Sequence, residues 1–444
     1  MRSVPPAHQE GPSAMIGTAH ASPAPTRTTA AHRDPNVLRW LTAYTASLLG
    51  DSVYFLALGF AAAKVAPAAE VGLVMAVGAV PRALLMLGGG VVADRFGPRL
   101  VVIGSDAVRC VLILTAAAVL ALTTPGLWLL VAVALAFGVV DALFMPAVGA
   151  LPPRLVARDQ LVRLQGMRAL AVRAGDIAGP PLGGLAMGLG GASTAFAVAG
   201  GMFALSVPLL LTIRIGDLKR DRDPAPASAP EPEDGRPADG EPVDGTAWDE
   251  LRDGLRYIRR HRLVGPLVLS GAISEFGLVG PLNIGMVLLT RQRGWGSGGY
   301  GWIIAAFGAG AAASALLMAV RGRFRRAGVV QIVTLFGGSA TIGLIGVAPA
   351  LGVAVALALL AGLICGVCGG LAVAMIQSAS DPAYLGRVTS VMSLTGFGIA
   401  PLVYPLFGAA VASFGPTPVF LTAGAVSMLG GAVGLASPAV RSAK

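Results

Sequence analysis

Charge is scarce in this chain: 13% of its 444 residues are charged, about half the share of an ordinary soluble domain. Together with a mean hydropathy of +0.74, that shortage excludes a conventional soluble fold. Histidine is scarcer still: His8, His20 and His32 lie in a polar N-terminal tail and His261 beside a basic stretch, so no apolar run holds a histidine. The three cysteines, Cys110, Cys365 and Cys368, all lie inside apolar runs. Cys365-x-x-Cys368 has no third ligand nearby, so small apolar packing is expected rather than redox chemistry or a metal. There is no G-x-x-x-x-G-K-[ST] loop to drive transport with ATP. No Ser/His/Asp grouping supports an enzyme acting on lipid, and no cofactor is expected. Residues 1–36 lack the continuous apolar core of a secretory signal and read as a disordered cytoplasmic tail.

What is present is apolar sequence in long runs. They fall at roughly 37–64, 69–92, 100–122, 126–150, 162–189 and 192–214, then 263–290, 298–320, 328–348, 351–378, 385–411 and 416–437. Each has the roughly 20 residues that a helix needs to cross a bilayer core of about 30 Å. The expected fold class is therefore an all-α membrane protein with twelve transmembrane helices in two six-helix halves, 37–214 and 263–437. Residues 438–444 form a short cytoplasmic tail. Sixty-one glycines suit close helix approach in lipid. The net charge of +10 could suggest a nucleic-acid binder, but the bases sit between apolar runs rather than on one face of a polar domain. No nucleic acid is expected as a partner.

Those bases also orient the chain. One set of connections holds Arg95 and Arg99, Arg154 and Arg158, Lys219, Arg220 and Arg222, four arginines at 321–326, and Arg387. The alternate set holds only Lys64, Arg291 and Arg293. The basic connections belong inside the cell, which puts both termini in the cytoplasm and the protein in the inner membrane. Asp34-Pro35 reads as the cap and first turn of the first helix. Residues 215–262 form a cytoplasmic linker: the Pro-, Asp- and Glu-rich stretch 215–245 cannot bury a core. Thr246 to Asp249 then has capping-box spacing, and Trp248, Leu251, Leu255 and Ile258 recur along one face, with Arg252, Arg256, Arg259 and Arg260 largely elsewhere around the helix. An interfacial helix before span 7 is expected.

Between spans 2 and 3 lies Gly90-x-x-x-Asp94-Arg95-x-Gly97-x-Arg99, which resembles the corresponding loop of the major facilitator superfamily; Pro98 stands where that family more often has a base. Span 5 holds Gly175-x-x-x-Gly179-Pro180-Pro181-Leu182-Gly183-Gly184, matching in full the motif that marks drug–proton antiporters within it. Glycines four apart clear a groove for a neighbouring helix, and two prolines are expected to break and bend the span. Gly50-Asp51, Ser105-Asp106-x-x-Arg109, Leu255 to His261 and Gly386-Arg387-Val388 look like the efflux branch of macrolide and siderophore exporters related to the enterobactin exporter. The resemblance covers roughly 37–437. It implies alternating access, export of an amphipathic organic molecule and exchange for protons.

Ionisable residues inside a bilayer are functional candidates by default. Asp51, Arg82, Asp141 and Glu275 each sit about 12 to 15 residues from one end of their span, near mid-depth at 1.5 Å per residue. In the superfamily, spans 1, 4, 7 and 10 line the cavity, which would bring Asp51, Asp141 and Glu275 together, with Arg82 as a structural partner. A carboxylate in a poorly hydrated cavity can exchange protons near neutral pH. Asp106 with Arg109, and Arg173 with Asp176, are spaced to pair along one helix face and read as gate or scaffold contacts. By family analogy Asp94 would face the start of span 11 near Arg387, and Arg95 and Arg99 would complete a cytoplasmic latch. The matching loop of the second half, 321–326, has arginines but no acid, so the latch should be one-sided. Tyr54, Phe55, Phe144, Phe276 and Trp302 are candidates for an aromatic cavity wall. Alternatives are a proton-coupled importer of a nutrient, which span 5 speaks against, and a non-transporting membrane sensor.

Overall fold

The computed structural model describes residues 31–124, 126–213, 247–322, 324–381 and 384–443. The N-terminal tail to residue 30, the linker stretch 215–245, Thr246 and the side chains of Asp94, Trp248 and Leu251 lie outside the described residues. The first half comprises α1 (Pro35–Val65), α2 (Ala68–Phe96), α3 (Pro98–Leu122), α4 (Leu127–Gly149), a short α5 (Pro152–Leu155) and α6 (Leu161–Leu211). Then follow α7 (Ala247–Arg260), α8 (Val264–Gly280), a π turn (Pro281–Gly285) leading into α9 (Met286–Gln292), and α10 (Gly296–Arg321). The chain ends with α11 (Ala327–Ile345), α12 (Leu351–Ala379), α13 (Leu385–Gly398), α14 (Ala400–Phe414), α15 (Pro416–Ala436) and α16 (Pro438–Ser442). No strand occurs among the described residues.

Among the described residues, eleven helical stretches are long and apolar enough to cross a membrane. One of them, α6, has 51 residues. At 1.5 Å per residue that is roughly 75 Å, far more than one crossing needs. The helix breaks at Gly190 and Gly191, where φ reaches +73° at Gly191, a conformation that favours glycine. Two spans result, making twelve. The first helix starts as its sequence dictates: Asp34 accepts a hydrogen bond from the Asn36 N–H at 2.8 Å, with Pro35 in the first turn.

Small residues set the helix contacts. Gly175, Gly179 and Gly183 of α6 face Leu48, Ser52 and Leu56 of α1, so two four-residue repeats mesh in register. Gly362, Gly366 and Gly370 of α12 meet Phe307, Ser314 and Met318 of α10 in the same way. The prolines take two N–H donors out of the ladder, yet the backbone runs on without a break there: within α6 only Gly190 and Gly191 leave helical φ/ψ. Gly301 of α10 packs directly on the two prolines. A Cβ at Gly301 would come within 2.8 Å of the Pro180 carbonyl oxygen and 3.1 Å of Pro181 Cα.

The two halves therefore meet along α6 and α10, and along α2 and α14. A Cβ at Gly184 would meet the Ser297 carbonyl oxygen at 2.7 Å, and one at Gly59 would meet Val287 at 3.2 Å. Phe60 meets Tyr300 edge-on at 5.8 Å. Gly72 lies against the Tyr404 carbonyl and Gly408. These approaches gather toward the helix ends farthest from the basic connections. Gly72→Val would drive a branched side chain into the α14 backbone and should wedge the halves apart there. Spin labels at the exposed Val65 and Phe414 would report a longer distance in the variant; an unchanged distance would count against this packing.

The basic helix α7 docks on the second half. The Tyr257 ring stacks on Tyr384 at 4.4 Å, its hydroxyl accepts from the Asp381 N–H at 3.0 Å, and Gly254 lets the Arg387 side chain approach.

Candidate functional site

At the centre of the first half sits Arg109, fully buried on α3. A buried guanidinium persists only where charge and hydrogen bonds offset its desolvation. Here the offset comes from three helices. Its Nη2 donates to Asp141 of α4. Its Nη1 lies between Asp51 of α1, at 3.5 Å, and Asp106 of α3, at 3.6 Å, without a hydrogen bond to either. Phe144 covers the guanidinium at 4.0 Å, with Phe137 at 5.2 Å and Phe203 at 5.7 Å. Arg82 of α2 reaches the other Asp141 oxygen at 2.6 Å and lies over Phe55 at 4.9 Å.

Asp106 is fully buried as well, and one of its oxygens accepts hydrogen bonds at 2.5 Å from both Ser47 of α1 and Ser206 of α6. Ser47→Ala removes a donor from a buried carboxylate. A loss of about 1.5–3 kcal/mol is expected, the usual worth of a hydrogen bond to a charged group, read by thermal unfolding of the purified protein. An unchanged midpoint would mean that the serine hydroxyl does not hold the acid.

The five ionisable groups comprise three carboxylates and two guanidiniums. Fully ionised they leave one excess negative charge in a low-dielectric interior, so a single added proton makes the cluster neutral. Asp51 is held most loosely. Its only ionic contact among the described residues is the 3.5 Å approach to Arg109, and its side chain keeps 18% of its exposure. Asp141, gripped by both arginines, keeps 5%.

Of the mid-depth residues singled out from sequence, the fold brings together Asp51, Arg82 and Asp141. It adds Asp106 and Arg109, which the sequence offered as gate or scaffold contacts. Arg109 lies twelve residues into a 25-residue helix, so it shares the depth of the others and serves as a contact within the first half. Equal depth counting would have found it. Ser47 and Ser206 carried no such signal, being small polar residues in apolar runs. Glu275 does not join the cluster. It is half-buried on α8 and makes no ion pair among the described residues. Arg82 and Tyr404 of α14 both line a cavity of about 40 Å³ between the halves, room for a water molecule but not for an organic cargo.

The latch residues are dispersed. Arg99 donates to the Leu211 carbonyl at 2.9 Å, within its own half, and Arg95 lies over Phe96 at 5.8 Å. Gly97 turns the chain between α2 and α3 with φ +82°, and Gly90 lies within α2. Arg387 rests on Tyr384 at 5.3 Å. None of these described contacts crosses between the halves. Arg173 and Asp176 pair at 3.1 Å on an exposed face of α6. Of the aromatic candidates, Tyr54 and Phe144 are buried in the cluster's packing, whereas Phe276 and Trp302 are exposed. No group of three His, Cys, Asp or Glu side chains suited to a metal ion occurs among the described residues.

Residues 40–392 match the family model of the Major Facilitator Superfamily. Two curated relatives, the enterobactin exporter EntS of Shigella boydii serotype 18 and that of Escherichia coli O139:H28, are each 25% identical over 347 residues, covering 74% of this chain and 76% of theirs. Among solved structures, the nucleoside transporter NupG superposes with a TM-score of 0.68 at 14% identity, over 90% of this chain and 98% of NupG. A bacterial homologue of the lysosomal transporter Spinster, inward-facing and occupied, gives 0.65 at 14% identity over 90% and 96%.

Proposed function

Because the chain belongs to the major facilitator superfamily, and is therefore a multi-span membrane transporter rather than an enzyme, we propose that it exports an amphipathic organic compound by proton antiport. The observation that carries this reading is the buried cluster of Asp51, Asp106, Asp141, Arg82 and Arg109, with one carboxylate more than its guanidiniums can balance. Asp51 is the proton carrier. A proton there neutralises the cluster and loosens Arg109 toward Asp141. The cargo competes with that proton, so each weakens the binding of the other, as linkage requires. Export is supported by the 25% identity to the enterobactin exporters, which also makes siderophore-like and other secondary metabolites the first cargoes to try. The span 5 motif supports antiport, since its glycines and prolines form both the seam to α1 and the seam to α10 of the other half.

With the basic connections in the cytoplasm, the gathered contacts close the opposite side, and this conformation faces inward. Rocking of the halves about the mid-depth cluster would then expose it to the exterior. In energised inverted vesicles, cargo uptake should collapse on addition of a protonophore, and adding cargo should drive a measurable proton efflux. Uptake that ignores the protonophore would remove proton coupling. Counterflow in the opposite sense would favour a nutrient importer.

A further inference from the structure

Where α10 ends, α11 and α12 lie beside it and α16 folds back over them, there is a cavity of about 940 Å³ that plays no part in the transport scheme. Its rim carries Arg325, Arg326 and Arg441, all exposed. No acidic side chain lines it, and none of the three arginines belongs to an ion pair among the described residues. This is the loop whose counterpart in the first half carries Asp94; here the loop sequence 321–326 has no acid, and the three arginines have no ion-pair partner among the described residues. Below the rim the wall turns apolar, with Met318, Leu371, Ala374 and Met375. The wall on the far side is fixed: the Gly328 N–H donates to the Ala443 carbonyl at 3.2 Å, and the Val440 carbonyl sits against Gly328, tying α16 to the first turn of α11. Clustered guanidiniums above an apolar slot, at the ends of membrane-spanning helices, match one kind of occupant: a molecule with an anionic head and a hydrocarbon tail.

We propose that this cavity is a binding site for an anionic phospholipid of the adjoining leaflet. The headgroup phosphate sits against Arg325, Arg326 and Arg441, and an acyl chain lies along Met318, Leu371 and Met375. A free inorganic anion would use the rim alone and gain nothing from the apolar wall, so the site commits to lipid. The bound lipid ties α10, α11, α12 and α16 together at one end of the second half. The site is independent of the cargo and of proton coupling.

The test uses the full chain purified in mixed micelles doped with phosphatidylglycerol or phosphatidylcholine, with retained lipid read by native mass spectrometry. Phosphatidylglycerol should be retained selectively. Changing Arg325, Arg326 and Arg441 together to Gln should weaken its retention about a hundredfold, or about fivefold for each arginine. The same three positions as Lys should keep most of it. Ala374→Phe, at an exposed position, fills the slot without touching the core and should expel the lipid while leaving inorganic phosphate binding unaltered. Equal retention of both lipids, or full retention by the triple Gln variant, would overturn the proposal. So would an Ala374→Phe protein that still holds phosphatidylglycerol. Thermal unfolding in phosphatidylcholine alone, expected to match the parent protein, separates these outcomes from misfolding.

Discussion

Arg109→Met is expected to destabilise the protein by about 3–5 kcal/mol, the usual consequence of removing one partner of a buried ionic group. The physical cause lies less in the lost attraction than in what is left behind. Asp141 would keep only Arg82, Asp106 only its two serines, and Asp51 would have no cationic contact among the described residues. The three rings that cover the guanidinium would face a thioether in its place. Unfolding of the purified protein would show the loss as a lower midpoint and reduced yield. Pairing the change with Asp141→Asn supplies a sharper check, because neutralising the stranded acid should recover part of the stability. A non-additive recovery of about 0.5–3 kcal/mol is the range for groups in direct contact. If the double variant is merely the sum of its parts, the two side chains are not coupled and the cluster as described is wrong.

Asp51→Asn should uncouple cargo from protons while leaving the fold intact. The amide of that variant reproduces the shape of a protonated aspartate, so the cluster stays neutral at every pH. In the parent protein cargo competes with a proton, and cargo affinity should fall as pH falls, by up to about tenfold per pH unit within the titration window. In the variant that slope should vanish and affinity should stay at its low, acidic value. Proton flux driven by cargo should drop at least about a hundredfold, as expected when a positioned proton carrier is removed. Glu275→Gln provides the contrast. Glu275 lies outside the cluster, so its variant should keep the slope. A flat profile in Glu275→Gln beside a normal one in Asp51→Asn would transfer the proton to α8.

Much of the architecture could be read without coordinates, and the reason is the solvent. In lipid every backbone polar group must be satisfied within its own helix, so a run of some 20 apolar residues leaves almost no choice of structure. The run bounded by Pro98 and Leu122 and the one bounded by Leu351 and Ala379 became helices for that reason. The Gly190-Gly191 break between spans 5 and 6 was legible too, because two adjacent glycines at a span boundary leave the helix at little steric cost. Pro180-Pro181 misled by the same local logic. The helix continues through them, and Gly301, more than a hundred residues away, packs against their backbone.

Sequence alone determined the number of spans, the fold, the mid-depth placement of Asp51, Arg82, Asp141 and Glu275, and the scarcity of enzyme chemistry. All of these follow from composition and from distance along a helix, which are local quantities. Tertiary structure alone decided which charges meet. Asp51, Arg82, Asp106, Arg109 and Asp141 share a depth with Glu275, yet only the first five form one cluster, because partnership depends on which face each helix turns toward its neighbours. That rotation is set by glycine registers such as 175, 179 and 183 against 48, 52 and 56, between segments far apart in the chain. No local pattern encodes it.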